Sequence, residues 1–200
     1  MIEAKKLYIG YSRDRPLLTD FNYQFESKIY GILGHSGCGK TTLLRTIAGL
    51  TKPLSGEILI NDCAIEKGDV YMMHQNYTSF DWLKCIDNVL IAKKIKDKVS
   101  KEDIEQAKHM LSLVGLEGHE DKFPKQLSGG MRQRLALART LFTNPKVILM
   151  DEPLSALDHA TRVQMQNLIL KIHKETENTI IMVTHSQEEA NKMCDQIINF

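Results

Sequence analysis

The sequence predicts an α/β fold with a mostly parallel core sheet, an antiparallel β region at the N-terminus and an inserted α-helical subdomain. Three observations lead to this prediction. Short apolar runs with strand-like alternation occupy the first third of the 200 residues, and apolar residues at helical spacing dominate from about residue 81 to 125. Strands and helices alternate again in the last third, as in proteins whose core sheet is parallel.

The first third predicts short strands joined by polar turns. Phe21, Tyr23 and Phe25 fall on one face of an alternating strand, and residues 29–33 form an apolar run. Two more short strands are predicted at residues 57–60 and 70–73. We therefore expect the antiparallel β region in this part of the chain.

The middle of the chain predicts helices. Apolar residues recur every three or four positions between residues 104 and 114, and the pair Ser100 and Asp103 fits a capping box at the start of that helix. No Pro- or Gly-rich linker interrupts the chain. We therefore expect one domain, with residues 1–78 and 136–200 forming the core and residues 79–135 forming a helical subdomain.

The last third contains two continuous apolar runs, residues 147–150 and 179–183, separated by a helical stretch from Thr161 to about Glu175. Such runs are typical of parallel strands buried on both faces. We expect both to lie inside the core sheet.

The composition excludes several classes of protein. A chain with 42% hydrophobic and 26% charged residues can form a core, which argues against disorder, collagen and coiled coil. Its net charge of +1 does not mark it for nucleic acid or anionic lipid, so an anion must be held by a local site. No apolar run approaches the roughly 20 residues of a membrane span, and no secretory signal is evident. Four cysteines without metal-binding spacing predict reduced thiols in a cytoplasm.

Residues 34–41, GHSGCGKT, match the phosphate-loop pattern between an apolar strand and an apolar helix. The glycines let backbone N–H groups converge on phosphate oxygens, and the helix N-terminus adds its dipole. Lys40 is predicted to reach the β and γ phosphates, and Thr41 to offer its hydroxyl to Mg²⁺. The pattern therefore predicts a nucleoside triphosphate, although a Gly-rich turn before an ordinary helix is the alternative. The other loop residues predicted to contact the nucleotide are Gly34, Ser36, Gly37, Cys38, Gly39 and Thr42, with no role assigned to the Cys38 thiol itself.

Two acids, Asp151 and Glu152, follow the apolar run at 147–150. The carboxyl end of a parallel strand is a ligand position, so Asp151 is predicted to hold Mg²⁺ through water. Because strand side chains alternate, Glu152 is expected to point elsewhere and to be free to polarise an attacking water. The alternative is that these acids merely begin a turn.

Residues 127–134, LSGGMRQR, precede an apolar helical run, so Ser128 is expected to be an N-cap followed by two glycines. This is a second helix start able to bind an anion. Taken alone, a Ser-Gly-Gly start is equally an ordinary cap.

In this order, the motifs resemble the ATP-binding subunits of ABC transporters over nearly the whole chain. Besides the phosphate loop and the paired acids, the resemblance rests on Gln75 after a strand, residues 127–130 (LSGG), residues 155–158 (SALD) and residues 184–185 (TH). It implies a P-loop NTPase (RecA-like) core that hydrolyses ATP with Mg²⁺.

The resemblance also implies a head-to-tail homodimer. Ser128 and Gly130, with Gly129 between them, would close over ATP held by the phosphate loop of the second copy. Two helix N-termini around one triphosphate would stabilise its developing charge from both sides. Asp158 would organise the dimer interface, yet it could equally cap the helix that begins near Thr161.

Three further site residues come from the resemblance. Gln75 would contact Mg²⁺ and the attacking water and would sense the membrane partner, and His185 would hydrogen-bond the γ phosphate. Tyr11 would stack on adenine, with Tyr8 as the competitor. The alternative for Tyr11 is a core aromatic on a strand.

The implied function is ATP hydrolysis that energises solute import through a separate membrane permease. The subunit would lie peripherally on the cytoplasmic, inner face of the cell membrane, with an extracellular solute-binding protein in the complete system and no nucleic acid. Residues 130–134, residues 157–166, Trp82 and the Asn88-Val89 pair resemble importers for nitrate, taurine, aliphatic sulfonates or thiamine precursors. Members of the family normally continue beyond Phe200 with a further strand and helix.

Three other functions remain open at this point. The chain could be a soluble ABC-type ATPase in translation or DNA repair, a nucleotide-binding regulatory subunit with low turnover, or a phosphoryl transferase of small molecules. The first class usually carries two cassettes or a long coiled-coil insertion, neither of which this sequence has. The paired acids at 151–152 with LSGG favour water as the acceptor over a small molecule.

Overall fold

The computed structural model of the chain describes residues 1–12, 14–66, 68–73 and 79–200. Nine strands and six α-helices lie in this described part. In chain order they are β1 (Ile2–Ser12), β2 (Arg15–Phe25), β3 (Ile29–Leu33), α1 (Lys40–Ile47), β4 (Ser55–Ile60), β5 (Cys63–Ala64), β6 (Val70–Met73), α2 (Cys85–Lys96), α3 (Lys101–Leu113), α4 (Gly129–Phe142), β7 (Val147–Asp151), α5 (His159–Thr176), β8 (Thr179–Val183), α6 (Gln187–Met193) and β9 (Gln196–Asn199).

The chain divides into two compact units. Unit 1 holds both sheets, and unit 2 holds α2, α3, α4 and the start of α5. The predicted helical subdomain at 79–135 differs from unit 2, because α4 is one unbroken helix that crosses residue 135. Unit 1 comprises Met1–Gln75, Lys146–Ser155 and Ile169–Phe200, and unit 2 comprises Asn76–Pro145 and Ala156–Leu168.

The first sheet of unit 1 is antiparallel, in the order β2-β1-β4-β5. It confirms the predicted antiparallel region at the N-terminus. The apolar face predicted for β2 is also confirmed, because Phe25 is fully buried and Phe21 and Tyr23 pack against the same core cluster. The rings of Phe25 and Tyr30, whose centroids lie 4.9 Å apart, join this sheet to β3.

The second sheet of unit 1 is parallel, in the order β6-β7-β8-β3-β9. All residues of β3 and β8 are buried, as their continuous apolar runs predict. The register pairs Val183 at the end of β8 with Asp151 on one side and with Ile32 on the other. The carboxyl ends of β7, β8 and β3 therefore lie side by side at one edge of the sheet.

In unit 2, helices α2, α3 and α4 pack against one another. The predicted capping box at the start of α3 is confirmed. The Ser100 hydroxyl accepts a hydrogen bond from the Asp103 amide at 3.1 Å, and the Asp103 carboxylate accepts one from the Ser100 amide at 2.8 Å. No helix in the described ranges is long and apolar enough to cross a membrane.

The α3 cap gives a test of local stability. Ser100→Ala removes the hydroxyl that accepts from Asp103, and an N-cap serine contributes about 1 kcal/mol to the free energy of unfolding. We expect a loss of that size in urea unfolding followed by circular dichroism. Ser112→Ala is the control, since this exposed hydroxyl makes only a 3.4 Å contact to Glu117. Equal unfolding midpoints for the two variants would contradict the assigned role of the cap.

Candidate nucleotide-binding site

The phosphate loop joins the end of β3 to the start of α1 in unit 1. Its last residue before the helix is Gly39, with φ at 103°, a left-handed conformation that glycine adopts without strain. A Cβ atom at Gly39 would also lie 3.0 Å from the Leu17 Cβ. Both the conformation and the closeness of Leu17 explain why a glycine stands at this position.

The Lys40 ammonium lies inside the loop. Its Nζ donates hydrogen bonds to the carbonyl oxygens of Gly34 at 2.8 Å and of His35 at 2.9 Å. Lys40 is only 5% exposed, which is rare for lysine and is compensated by these two carbonyls. The loop thus holds a positive charge where a phosphate would bind.

Thr41 connects the loop to the acid at the end of β7. Its Oγ1 donates a hydrogen bond to Oδ1 of Asp151 at 3.1 Å. The predicted pair of Mg²⁺ ligands is therefore in direct contact, although the two residues come from different elements. Hydroxyl and carboxylate oxygens are the hard ligands that Mg²⁺ prefers.

Glu152 departs from the sequence-based expectation. It lies beyond the last residue of β7 and has φ at 49°, so the side-chain alternation of a strand does not apply to it. Its amide donates to the Val183 carbonyl at 3.0 Å, which fixes this turn against the end of β8. Alternation predicted a free carboxylate. Instead, Oε1 of Glu152 accepts a hydrogen bond from Nε2 of His185 at 2.6 Å.

One pocket of about 270 Å³ collects most of the predicted nucleotide site of unit 1. Among the residues that the structure describes, every one that lines it is a predicted site residue except Leu17. The register of β1 and β2 shifts between the Leu7–Phe21 and Ile9–Leu18 pairs, so Leu18 shares the face of Phe21 and simple alternation does not find Leu17. The lining residues are Tyr11, Leu17, Ser36, Gly37, Gly39, Lys40, Thr41, Thr42, Glu152 and His185.

Tyr11 lies at this pocket and is 88% exposed, so the alternative of a core aromatic is wrong. Tyr8, which is also described, does not line the pocket. Tyr11 is therefore the aromatic placed to meet a base, and its stacking on adenine stays a prediction.

Cys38 lines a second cavity of about 420 Å³ with Leu18, Phe21 and Phe200. Its sulfur lies 3.8 Å from Nζ of Lys40. Cys38 does not line the nucleotide pocket as described, and its predicted contact with the nucleotide stays a prediction.

In unit 2, Ser128 caps α4 as predicted, since its hydroxyl accepts a hydrogen bond from the Met131 amide at 3.3 Å. Gly129 and Gly130 form the first turn of that helix. A Cβ atom at Gly130 would lie 2.5 Å from Cγ2 of Thr161, so a larger residue at this position would require the Thr161 side chain to move.

Asp158 is the cap of α5. Its carboxylate accepts hydrogen bonds from the Thr161 hydroxyl at 2.6 Å and the Thr161 amide at 3.0 Å, and these donors lower the pKa of Asp158. The capping alternative is thus observed, and the role of Asp158 in a dimer interface stays a prediction. Gln75 lies outside the described residues, so its assigned role also stays a prediction.

A sequence model described as ABC transporter matches residues 18–155 of the chain. The chain belongs to the ABC transporter family. The taurine import ATP-binding protein TauB of Roseobacter denitrificans is 44% identical over 173 residues, which cover 86% of this chain and 65% of TauB. The spermidine/putrescine import ATP-binding protein PotA of Legionella pneumophila is 40% identical over 206 residues, which cover 100% of this chain and 56% of PotA.

Solved ABC structures share the fold. The dimeric structure of MJ0796, a bacterial ABC transporter cassette, matches with a TM-score of 0.84 and 30% identity over 100% of this chain and 94% of that one. The same cassette is known as a dimer in a post-hydrolysis state bound to ADP and Pi. The predicted family and the predicted P-loop fold class are therefore confirmed. The chain spans 56% to 66% of the length of the first curated ABC relatives that it matches.

The position of Tyr11 at the pocket leads to a binding test. We expect Tyr11→Ala to weaken the binding of a non-hydrolysable ATP analogue about tenfold, since stacking of a base on an aromatic ring contributes about 1–3 kcal/mol. Tyr11→Phe is expected to bind like the parental chain, because it keeps the ring. Isothermal titration calorimetry measures both, with Tyr8→Ala as the control. Equal weakening by Tyr8→Ala and Tyr11→Ala would show that the ring at position 11 does not contact the base.

Proposed function

We propose that this chain is the ATP-hydrolysing subunit of an ABC transporter and that it energises solute import through a separate membrane permease. One observation carries the proposal. The phosphate loop with its buried Lys40 and the Glu152–His185 pair lie at the same pocket. A phosphate-binding cation and a held carboxylate at one pocket are what hydrolysis of a phosphoanhydride by water requires.

ATP would bind with its phosphates on the amides of the loop and on Lys40, and with its base toward Tyr11 and Leu17. Thr41 and Asp151 fit Mg²⁺, because a hydroxyl and a carboxylate oxygen stand 3.1 Å apart at the first turn of α1. When bound, Mg²⁺ neutralises charge on the β and γ phosphates. Gln75 is proposed as a further ligand, by resemblance.

In the proposed reaction, Glu152 accepts a proton from the attacking water as the water oxygen bonds to the γ phosphorus. The bond from that phosphorus to the bridging oxygen breaks, which leaves ADP and phosphate. The chain contributes mainly the position of the carboxylate. The Val183 carbonyl fixes the Glu152 amide at 3.0 Å, and Nε2 of His185 fixes Oε1 at 2.6 Å. A base held in this way loses little orientational freedom in the transition state.

We further propose a homodimer in which the α4 helix start of one copy, capped by Ser128, faces ATP on the phosphate loop of the other. A helix N-terminus carries partial positive charge and unpaired amides, which favours a phosphate there. The dimeric form of MJ0796 supports this arrangement for a cassette of similar fold. The subunit would work with membrane permease subunits and an extracellular solute-binding protein, from the inner face of the membrane.

The solute is proposed to be recognised by those other subunits. TauB and PotA are named for taurine and for spermidine or putrescine, an aminosulfonate and two polyamines, yet they match this chain at 44% and 40% identity. Similar identity to proteins named for such different solutes argues that this part of the chain does not select the solute. The permease that copurifies with it would identify the pathway.

Replacement of the base tests the hydrolytic proposal. Glu152→Gln keeps an oxygen that can accept from His185 but cannot take up a proton. We expect kcat for ATP to fall about 10²–10⁴-fold while ATP binding remains, as for loss of a general base. Phosphate release and calorimetry measure the two quantities. Turnover at the parental rate would refute the role of Glu152.

The hydrolysis-arrested variant also tests the dimer. With Mg-ATP, Glu152→Gln is expected to sediment as a dimer, because the triphosphate between two copies is not consumed. The double variant Glu152→Gln with Lys40→Ala is the control and is expected to stay monomeric, since it lacks the cation that holds the phosphates. A monomer for the single variant at high concentration, with its permease supplied, would refute the head-to-tail arrangement.

A further inference from the structure

The segment that carries His185 is fastened on both sides of that residue. Thr184 follows the last residue of β8, is 3% exposed, and donates its amide proton to the Ile32 carbonyl at 3.3 Å. Ser186 follows His185 and caps α6, since its hydroxyl accepts a hydrogen bond from the Glu189 amide at 3.2 Å. The backbone of His185 thus lies between a strand end and a helix cap.

The Thr184 hydroxyl links these two anchors. It donates its single proton to Oε2 of Glu189 at 2.7 Å and accepts a hydrogen bond from the Ser186 amide at 3.1 Å. A hydroxyl has one proton to donate, so the direction of both hydrogen bonds is set by the carboxylate. Hydrogen bonds through the Thr184 hydroxyl thus join Glu189, Thr184 and Ser186, and the last two residues directly flank His185 in sequence.

This set of hydrogen bonds is an extended form of the capping box. In the ordinary box, the glutamate three residues after the cap returns to the backbone amide of the cap residue. Here the Thr184 hydroxyl stands between Glu189 and the Ser186 amide. The ordinary box would give the cap residue's amide a partner without Thr184. The additional hydrogen bond through Thr184 connects the α6 cap to the end of β8, which leads into His185.

The Glu189 carboxylate is largely buried, at 9% exposure, and its hydrogen bond to the 3%-exposed Thr184 is short. Hydrogen bonds to a carboxylate are roughly twice as strong as neutral ones, and they gain further strength away from water. In contrast, the His185 side chain is 49% exposed. Its contact with Glu152 therefore depends on a well-fixed backbone more than on packing of the ring.

We propose that Glu189 and Thr184 are positioning residues that set the hydrogen bond between His185 and Glu152 and thereby the rate of ATP hydrolysis. The inference rests on the proposed function and deepens it. Neither residue lines the nucleotide pocket as described, so both act through His185. Loss of either would let the His185 backbone move and would leave nucleotide binding intact.

The other end of β8 supplies a matched control. Thr179 is 5% exposed, and its hydroxyl donates to the Glu26 carbonyl at 2.8 Å. Thr179→Val and Thr184→Val thus each remove one buried hydroxyl with the same change in shape, the first at the start of β8 and the second just after its end. Only the second change touches the segment that holds His185.

The test compares four variants of the full chain with the parental protein in Mg-ATP. Thr184→Val and Glu189→Ala are expected to lower kcat about tenfold, which corresponds to loss of one strong hydrogen bond, with KM for ATP within about twofold of parental. Glu189→Gln is expected to turn over near the parental rate, because its amide oxygen still accepts from Thr184. Thr179→Val is expected to keep the parental kcat. Equal losses of kcat in Thr179→Val and Thr184→Val would overturn the proposal.

A spectroscopic readout separates this inference from the proposed function. In histidine-labelled protein, the ring signal of His185 is identified by its absence in His185→Ala. We expect that signal to move in Thr184→Val and to stay in place in Thr179→Val, and a signal unmoved in both would overturn the proposal. A parental chain without ATPase activity would refute the proposed function, yet the spectra would still decide whether Thr184 positions His185. If Glu189→Ala does not fold, Thr184→Val alone carries the test.

Discussion

The parallel pairing of β7, β8 and β3 is the constraint on which the candidate site depends. Val183 pairs with Asp151 on one side and with Ile32 on the other, so the three strands end within one residue of the same level. Thr41 and Asp151 hydrogen-bond across 110 positions of sequence because of this register. A shift of one residue in either pairing would turn each strand end to the opposite face and would separate the loop, the acids and His185.

At that edge, a strained backbone conformation positions the carboxylate of Glu152. Glu152 adopts a left-handed conformation, with φ at 49°, which costs a non-glycine residue about 1–2 kcal/mol. The hydrogen bond from its amide to Val183 and the contact of its side chain with His185 hold it there. Strained residues held by their surroundings are common where a group must be placed for chemistry, and Glu152 fits that description.

Much of the fold and of the site could be predicted because the signals are local. The apolar runs of β7 and β8, the alternation of Phe21 with Phe25 and the capping box of Ser100 each depend on residues close in sequence. Leu17 and the Glu152–His185 pair were not predicted. Leu17 reaches the loop only through the β1–β2 hairpin, and the pair depends on a turn that ends strand alternation. Non-local geometry of this kind leaves no mark in a single sequence.

Within unit 2, Gly130 of the LSGG motif and Asp158 of the SALD motif both meet Thr161. Gly130, in the first turn of α4, lies so close to Thr161 that a Cβ atom there would come within 2.5 Å of its methyl group. Thr161 in turn donates both its hydroxyl and its amide protons to Asp158. A displacement of the α4 start therefore reaches Asp158 through a single residue. Thr161 therefore couples the start of α4 to the cap of α5, because a larger residue at position 130 would displace the Thr161 side chain that Asp158 holds.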